Sequence, residues 1–240
     1  MSLTAALLDP LLAGTSAARP LITYYDDATG ERIELSAVTT ANWAAKAANL
    51  LRDECDVEPG TRVAVMLPAH WQTAAVLLAA WSCGAEVIAD PLAADWVLCD
   101  GDRVDLALAA EPAGGVLALS LDTFGKGLPG LPAGVINFAT EVRTHGDEFV
   151  PWSPVPGDAP ALAGSSVDEA LAAARARAAA LRLGPSDRVL SILDWGRVED
   201  LTDGLLAVLA AGASLVQCRN VDPAALPRRA ETERTTLRLG

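Results

Sequence analysis

The chain has 240 residues, of which 51% are hydrophobic, enough for one large core or for two smaller α/β lobes. Its formal net charge of −13 disfavours nucleic acid and anionic membranes as partners, because both carry dense negative charge. The four cysteines stand singly, without the paired spacing of a metal site or a disulfide framework. We therefore expect a cytoplasmic protein with reduced cysteines and no metal site.

The first half of the chain predicts alternating helices and strands. Ser36 is a suitable N-cap for a helix, and Gly84 is a suitable residue to end one, because glycine tolerates positive φ. In chain order, the predicted elements are helices over residues 1–12 and 36–54, a strand over 62–67, a helix over 71–83 and a strand over 85–89. Short apolar runs at residues 96–99, 106–109 and 116–121 predict further strands of the same sheet.

The same order of elements recurs in the second half. Helices are predicted over residues 166–183 and 201–211 and strands over 187–193 and 213–218, followed by a short helix and strand after Asn220. Pro59-Gly60 is matched by Gly184-Pro185, and Gly84-Ala85 by Gly212-Ala213 at nearly the same distance downstream. The two halves are therefore predicted to be structural repeats.

A stretch rich in proline and glycine separates the halves. Residues 151–164 contain four prolines and two glycines, a composition that resists regular structure. We predict a first α/β lobe over residues 1–150, a connection over 151–164 and a second, partial lobe over 165–240. The predicted fold class is α/β, with two repeated lobes, each a mostly parallel sheet flanked by helices.

Several short segments, in this order, resemble the amino-terminal part of the adenylate-forming superfamily, the acyl-CoA synthetases and adenylation domains that activate carboxylates with ATP. They are Leu35-Ser36, residues 59–65, residues 84–87, residues 186–189 and Gly212-Ala213. The resemblance covers nearly all of this chain and implies only the two sheet lobes that begin such an enzyme. It also implies that the substrate-binding half and the mobile carboxyl-terminal domain are not represented here.

The resemblance places a phosphate-binding loop between Pro160 and Leu171. In the superfamily this loop is rich in serine, threonine and glycine and is followed by Pro-Lys-Gly, so that amides and a lysine hold the nucleotide phosphates. Here the positions that could remain from such a loop are Gly164, Ser165 and Ser166, without a lysine and beside two carboxylates. Ser166 with Glu169 also fits a capping box, which is the favoured interpretation, so ATP or AMP is a cofactor by resemblance only.

Other catalytic features of the superfamily are absent from the sequence. The segment Leu193-Asp194-Trp195-Gly196-Arg197 lacks the histidine that the resemblance implies near an acyl pocket. Neither Lys46 nor Lys126 lies in the context of the superfamily's catalytic lysine, and we predict no catalytic residues.

Three hypotheses for function follow. The first is a non-catalytic relative of acyl-CoA synthetases that serves as a binding or regulatory protein. The second is a nucleotide- or acyl-binding protein that completes an active site with a second polypeptide. The third is a structural protein in which a homodimer or a protein partner covers the face of the missing half. Arg175, Arg177 and Arg182 form a basic patch on a predicted helix that is suited to an acidic partner or to solvent.

Overall fold

The computed structural model describes residues 1–14 and 17–240, which divide into two compact units. The first unit comprises Met1–Thr4, Asn42–Leu67 and Ala75–Ala170. The second unit comprises Ala5–Ala41, Pro68–Ala74 and Leu171–Gly240. Within the described residues, no helix is long and apolar enough to cross a membrane.

Helices and strands alternate along most of the chain. The helices are α1 (Leu3–Leu12), α2 (Ala37–Asp53), α3 (Trp71–Cys83), α4 (Val104–Ala109), α5 (Phe138–Glu141), α6 (Val167–Ala180), α7 (Val198–Leu201), α8 (Ala207–Ala210) and α9 (Leu226–Glu233). The strands are β1 (Pro20–Asp26), β2 (Glu31–Ser36), β3 (Arg62–Met66), β4 (Glu86–Ile88), β5 (Trp96–Asp100), β6 (Gly115–Leu119), β7 (Ile136–Asn137), β8 (Pro160–Leu162), β9 (Ser165–Ser166), β10 (Arg188–Ser191), β11 (Ser214–Arg219) and β12 (Leu237–Leu239). A wider π turn at Thr202–Leu206 joins α7 to α8.

The first unit contains a seven-stranded sheet in the order β7-β6-β5-β3-β4-β8-β9. All neighbouring strands are parallel except β8 and β9, which form an antiparallel hairpin. The buried residues Val63, Val97, Leu98 and Leu117 belong to its central strands, as expected for parallel strands that are covered on both faces.

The second unit contains a five-stranded sheet in the order β12-β10-β11-β1-β2. The strands β12, β10, β11 and β1 are parallel, and β2 pairs with β1 in an antiparallel hairpin. Because four strands run the same way, their carboxyl ends lie along one edge of the sheet and their amino ends along the other.

The predicted internal repeat extends to the backbone conformation and hydrogen bonding of two helix ends. Gly84 and Gly212 both follow a helix with positive φ, at +83° and +71°, a conformation that favours glycine. The next residue then donates back five positions in both cases, from Ala85 N to Ala80 O and from Ala213 N to Val208 O, each at 3.0 Å. The same helix ending therefore leads into β4 and into β11.

Each repeat begins with a hairpin that joins the sheet of the other repeat. The hairpin β1-β2 precedes α2-β3-α3-β4, yet β1 pairs with β11. The hairpin β8-β9 precedes α6 and β10, yet β8 pairs with β4. The structure thus divides the chain differently from the predicted boundary at residues 151–164, because both sheets contain segments from both halves.

Most predicted elements are present within two or three residues of their predicted limits. Helix α3 spans the predicted residues, and α2 begins behind Ser36, whose Oγ accepts from Thr39 N at 3.1 Å. The predicted strand at residues 106–109 is wrong, because these residues belong to α4. Leu106 and Leu108 are exposed while Val104 and Ala107 are buried, so the apolar run has the spacing of a helix face.

Candidate functional site

The predicted phosphate-loop residues lie in a tight hairpin. Pro160–Leu162 pairs with Ser165–Ser166, so the turn between the strands has only two residues, Ala163 and Gly164. Their φ angles are +47° and +86°, and positive φ at both positions is the signature of the two-residue turn that matches strand twist. A turn of this length leaves no loop to wrap around a phosphate.

The amide groups of this hairpin already have partners. Gly164 N donates to Glu86 Oε1 at 2.7 Å, and Ala163 N donates to Val87 O at 2.9 Å. Ser166 N donates to Glu169 Oε2 at 2.9 Å. Two of these three acceptors are carboxylates, so a phosphate would have to displace negative charge to reach the amides.

Ser166 and Glu169 form the capping box that the sequence favoured. Glu169 N donates to Ser166 Oγ at 3.3 Å, while Glu169 Oε2 accepts from the amide and the hydroxyl of Ser166. These hydrogen bonds stabilise the ionised carboxylate and lower the pKa of Glu169. The serine that could have contacted a nucleotide therefore begins α6.

Trp81 of helix α3 forms a hydrogen bond to the β8-β9 hairpin. Its indole Nε1 donates to Ala161 O in β8 at 2.9 Å, and its side chain is only 1% exposed. Burial of an indole with its N–H satisfied is a strong packing contribution. The hairpin is thus an integral part of the seven-stranded sheet.

The segment that lacks the expected histidine lies behind β10 in the second unit. Asp194 Oδ1 accepts from Trp195 N at 2.8 Å and from Ala69 N at 3.1 Å, which joins this segment to the residues before α3. Ala69 is followed by His70, which directly precedes helix α3 and caps its start: Ala74 N donates to His70 O, and Gln72 N donates to His70 Nδ1.

A row of polar side chains crosses the five-stranded sheet near the carboxyl ends of its strands. Tyr24 is paired in register with Gln217, and Gln217 with Ser191. His70 packs edge-on against Tyr24 with ring centroids 4.3 Å apart. At the other end, a Cβ built on Gly204 would lie 3.0 Å from Trp195 Nε1 and 3.4 Å from Ser191 Oγ. We call Tyr24, His70, Ser191, Trp195 and Gln217 the carboxyl-edge cluster.

Three atoms of this cluster have no hydrogen-bond partner among the described residues. They are His70 Nε2, Trp195 Nε1 and Gln217 Oε1. Each parent residue is at least nine-tenths buried, and an unpartnered buried polar atom costs about 1–3 kcal/mol. The cluster therefore offers a donor at Trp195 and an acceptor at Gln217 to a molecule that enters this edge of the sheet. A second donor, His70 Nε2, faces the buried Glu31 Oε1 at 3.9 Å.

His70 is neutral at physiological pH. Burial, and then the charge of Arg219, lower its pKa to about 3, although Asp26 partly opposes this. Because Nδ1 accepts a hydrogen bond, the single proton of the neutral ring lies on Nε2, which makes this atom a donor. Burial and the nearby Asp26 also raise the pKa of Tyr24, so the cluster remains uncharged at neutral pH.

The sequence pointed to the hairpin and missed the carboxyl-edge cluster. Gln217 was the available signal, because its amide side chain interrupts the apolar run at residues 215–218. Tyr24 lies on β1, for which the sequence yielded no prediction. Among the described residues, no group of histidine, cysteine and carboxylate side chains could hold a metal ion.

Comparison with known proteins places this chain in a family. A protein of Mycobacterium tuberculosis (strain ATCC 25618 / H37Rv), named TIGR03089 family protein, is 56% identical over 239 residues, or 98% of this chain and 97% of that protein. The chain belongs to the TIGR03089 family. No family model matches the sequence.

Solved structures show where the fold of this family belongs. The acyl-CoA synthetase of Brucella canis has a TM-score of 0.78 and 20% identity, over 100% of this chain and 47% of that one. The benzoate CoA ligase of Burkholderia xenovorans LB400 has a TM-score of 0.75 and 19% identity, over 100% and 50%. The anthranilate CoA ligase AuaEII, solved with anthranoyl-AMP, has a TM-score of 0.76 and 12% identity, over 99% and 49%.

These matches confirm the predicted resemblance at the level of the fold. The TIGR03089 chain has the α/β architecture of the amino-terminal part of acyl-CoA synthetases, with parallel-rich sheets flanked by helices. It spans about half of the length of each of these solved structures.

Proposed function

We propose that this TIGR03089 family member is a non-catalytic binding or regulatory protein that does not activate carboxylates by itself. The observation that carries the proposal is the two-residue turn at Ala163 and Gly164, in the place where the resemblance puts a phosphate loop. The cytoplasmic location and the role as a pseudoenzyme are parts of the same proposal.

Electrostatics at the hairpin supports this proposal. A nucleotide triphosphate needs several donors or cations around its phosphates. Here Glu86 and Glu169 occupy the amides of Gly164 and Ser166. Lys46 is committed elsewhere in the first unit, because its Nζ donates to His145 O at 2.7 Å and lies 2.6 Å from Asp147 Oδ1. Among the described residues, no lysine or arginine side chain donates a hydrogen bond to the hairpin.

The carboxyl-edge cluster is the proposed place of the retained binding function. In open α/β sheets, ligands bind beyond the carboxyl ends of the parallel strands. His70 Nε2 and Trp195 Nε1 would each gain an acceptor from a small carboxylic acid, and Gln217 Oε1 would gain a donor from an amino or hydroxyl group. Benzoate and anthranilate, which name the acids of two structural neighbours, are suitable probes.

Calorimetric titration with ATP and AMP tests the absence of a nucleotide site. We expect no saturable heat and no thermal stabilisation, since a ligand that binds the native state must stabilise it. Saturable ATP binding that is lost in the double variant Ser165→Ala with Ser166→Ala would contradict the proposal. Because Ser166→Ala also breaks the capping box, Glu169→Ala is the matched control: it breaks the same cap and leaves both hydroxyls in place.

The same titrations with benzoate and anthranilate address the carboxyl-edge cluster. Saturable binding that His70→Phe abolishes, and that His145→Gln leaves unchanged, supports a ligand at this edge. His145 belongs to the first unit and is not part of the cluster, so its variant controls for the loss of a histidine. Binding of neither acid would remove the ligand proposal and leave a regulatory role through protein contacts.

A protein partner or a second copy remains the proposed cover for the face of the missing half. The solved neighbours are about twice as long as this chain, which is the observation that favours it. Leu92 and Phe124 of the first unit are 77% and 89% exposed, so apolar side chains are available for such a contact. A monomeric mass by light scattering would contradict a homodimer.

A further inference from the structure

The amino edge of the five-stranded sheet carries a groove of about 600 Å³, on the opposite edge from the carboxyl-edge cluster. This volume is typical of sites that hold a small molecule. Pro20 and Ser214, the first residues of β1 and β11, and Arg188, the first residue of β10, line it. All of its lining residues belong to the second unit.

The floor of the groove is apolar. Leu7 of α1, Leu171 of α6 and Leu209 of α8 line it, and each of these side chains is more than nine-tenths buried. Leu11 lies at the same place, since a Cβ built on Gly212 would be 3.7 Å from its Cδ2. Leu11 is only partly buried, so it offers most of the leucine surface that the apolar part of a ligand could cover.

The rim of the groove is positively charged although the protein is strongly acidic. Arg19, Arg175 and Arg234 line the groove and are exposed, and none forms a salt bridge with any residue that the structure describes. A fourth lining arginine, Arg188, is held by Glu233 Oε2 at 2.5 Å. Three guanidinium groups are thus free to bind an anion.

The carboxylate that lines the groove has its own partners. Asp187 Oδ1 accepts from the Thr236 hydroxyl at 2.7 Å, and Oδ2 accepts from Gly184 N at 2.8 Å. These hydrogen bonds lower the pKa of Asp187 and hold its side chain in its own turn. Both donors are neutral, so Asp187 keeps its negative charge and offsets one of the three positive charges of the rim, which leaves the groove with a net positive charge.

The helix ends at the groove do not reverse its net positive charge. Ala37, the first residue of α2, lines the groove and brings the positive end of a helix dipole. Ala210, the last residue of α8, and Leu11, near the carboxyl end of α1, bring negative ends. Each end is equivalent to at most about half a charge, so the full charges of the arginines decide the sign of the charge in the groove.

We propose that this groove, named the amino-edge groove, binds a small amphipathic anion, with its carboxylate or phosphate head on Arg19, Arg175 and Arg234 and its apolar body on the leucine floor. The site differs from the proposed function in place and in chemistry, because the carboxyl-edge cluster is uncharged. It also separates the roles of the predicted basic patch: Arg175 lines the groove, whereas Arg177 pairs with Asp203 at 2.6 Å.

Calorimetry on the full chain with four probes tests this proposal. Decanoate and decyl phosphate carry the two head groups, decanol lacks the charge, and inorganic phosphate lacks the apolar body. We expect one-to-one binding of at least one amphipathic anion, weaker binding of decanol and of phosphate, and weakening by added salt. The difference between decanoate and decyl phosphate identifies the head group.

A triple variant tests whether the anion binds to the three arginines of the rim. Arg19→Gln with Arg175→Gln and Arg234→Gln is expected to weaken the bound anion by roughly tenfold or more, because hydrogen bonds to charged groups are strong. The matched control changes three exposed arginines outside the groove, Arg182→Gln with Arg228→Gln and Arg238→Gln, and should retain affinity within about twofold. Equal weakening in both variants, or no saturable binding of either anion, would overturn the proposal.

Discussion

Replacement of Glu233 by alanine is expected to destabilise the second unit by about 3 kcal/mol. Glu233 closes α9 and is 8% exposed. Its Oε1 accepts from the Tyr25 hydroxyl at 2.5 Å and from Arg32 Nη2 at 3.0 Å, and its Oε2 accepts from Arg188 Nη2 at 2.5 Å. Removal of the carboxylate leaves Arg188, whose side chain is 16% exposed, with only the more distant Glu34 Oε2 at 4.0 Å as a charge partner.

The contribution of Glu233 has a defined pH dependence. Burial raises its pKa, but hydrogen bonds from Tyr25, Arg188 and Arg32 more than offset this and lower the pKa to about 2 from an ordinary value of 4.5. A carboxylate with a lowered pKa in the folded state stabilises the protein fully above about pH 4.5, and this stabilisation is lost as the pH falls towards 2. The wild type and Glu233→Ala should therefore converge in acid.

Urea unfolding at pH 7 and at pH 3 measures both effects. Glu231→Ala is the matched control, because Glu231 lies on the same helix and is exposed. It should change the free energy of unfolding by no more than about 0.5 kcal/mol. A Glu233 variant as stable as the control at pH 7, or a deficit that does not shrink in acid, would show that this ion-pair network does not support the sheet.

Replacement of Trp81 by alanine is expected to cost about 3–5 kcal/mol in the first unit. The indole is almost completely buried, so its removal leaves a cavity between α3 and the seven-stranded sheet. It also leaves Ala161 O without the hydrogen bond that it receives from Trp81 Nε1. The β8-β9 hairpin should lose protection against amide hydrogen exchange.

Two further variants distinguish the loss of packing from the loss of the hydrogen bond. Trp81→Phe keeps most of the ring volume and removes the indole N–H, so it should cost less, about 1–2 kcal/mol. Trp152→Ala removes a tryptophan that is 66% exposed and should change stability little. If Trp81→Ala were as stable as Trp152→Ala in a thermal or urea transition, the packing of the hairpin described here would be incorrect.

Local features of the fold were predictable because local interactions determine them. The helix at residues 71–83 follows from its composition and from Gly84, and the helix behind Ser36 follows from its N-cap. The repeat was recognisable in the sequence because both halves have a glycine, Gly84 or Gly212, where the backbone has a positive φ after a helix. The prediction of a strand at residues 106–109 was wrong. The run contains several apolar residues, but only Val104 and Ala107 are buried, at the spacing of a helix, while Leu106 and Leu108 are exposed.

Long-range features were not predictable. The hairpin β1-β2 was missed, and its pairing with β11 joins residues almost two hundred positions apart, which no local pattern reveals. The segment of the β8-β9 hairpin was interpreted as a degenerate loop, because the sequence shows that it lacks a lysine. The pairing of β8 with β4 cannot be recognised from the sequence. Both candidate binding places depend on such pairings, since the carboxyl-edge cluster joins Tyr24 to Gln217 and the amino-edge groove joins Arg19 to Arg234.

Isotope exchange of pyrophosphate into ATP tests the central claim most directly, because formation of an acyl-adenylate from ATP is reversible. The purified chain is incubated with ATP, labelled pyrophosphate and a panel of carboxylic acids that includes benzoate and anthranilate, with a full-length acyl-CoA synthetase as the positive control. We predict no incorporation above the blank for any acid. Incorporation that depends on a carboxylic acid, and that disappears in Ser165→Ala with Ser166→Ala, would contradict the account.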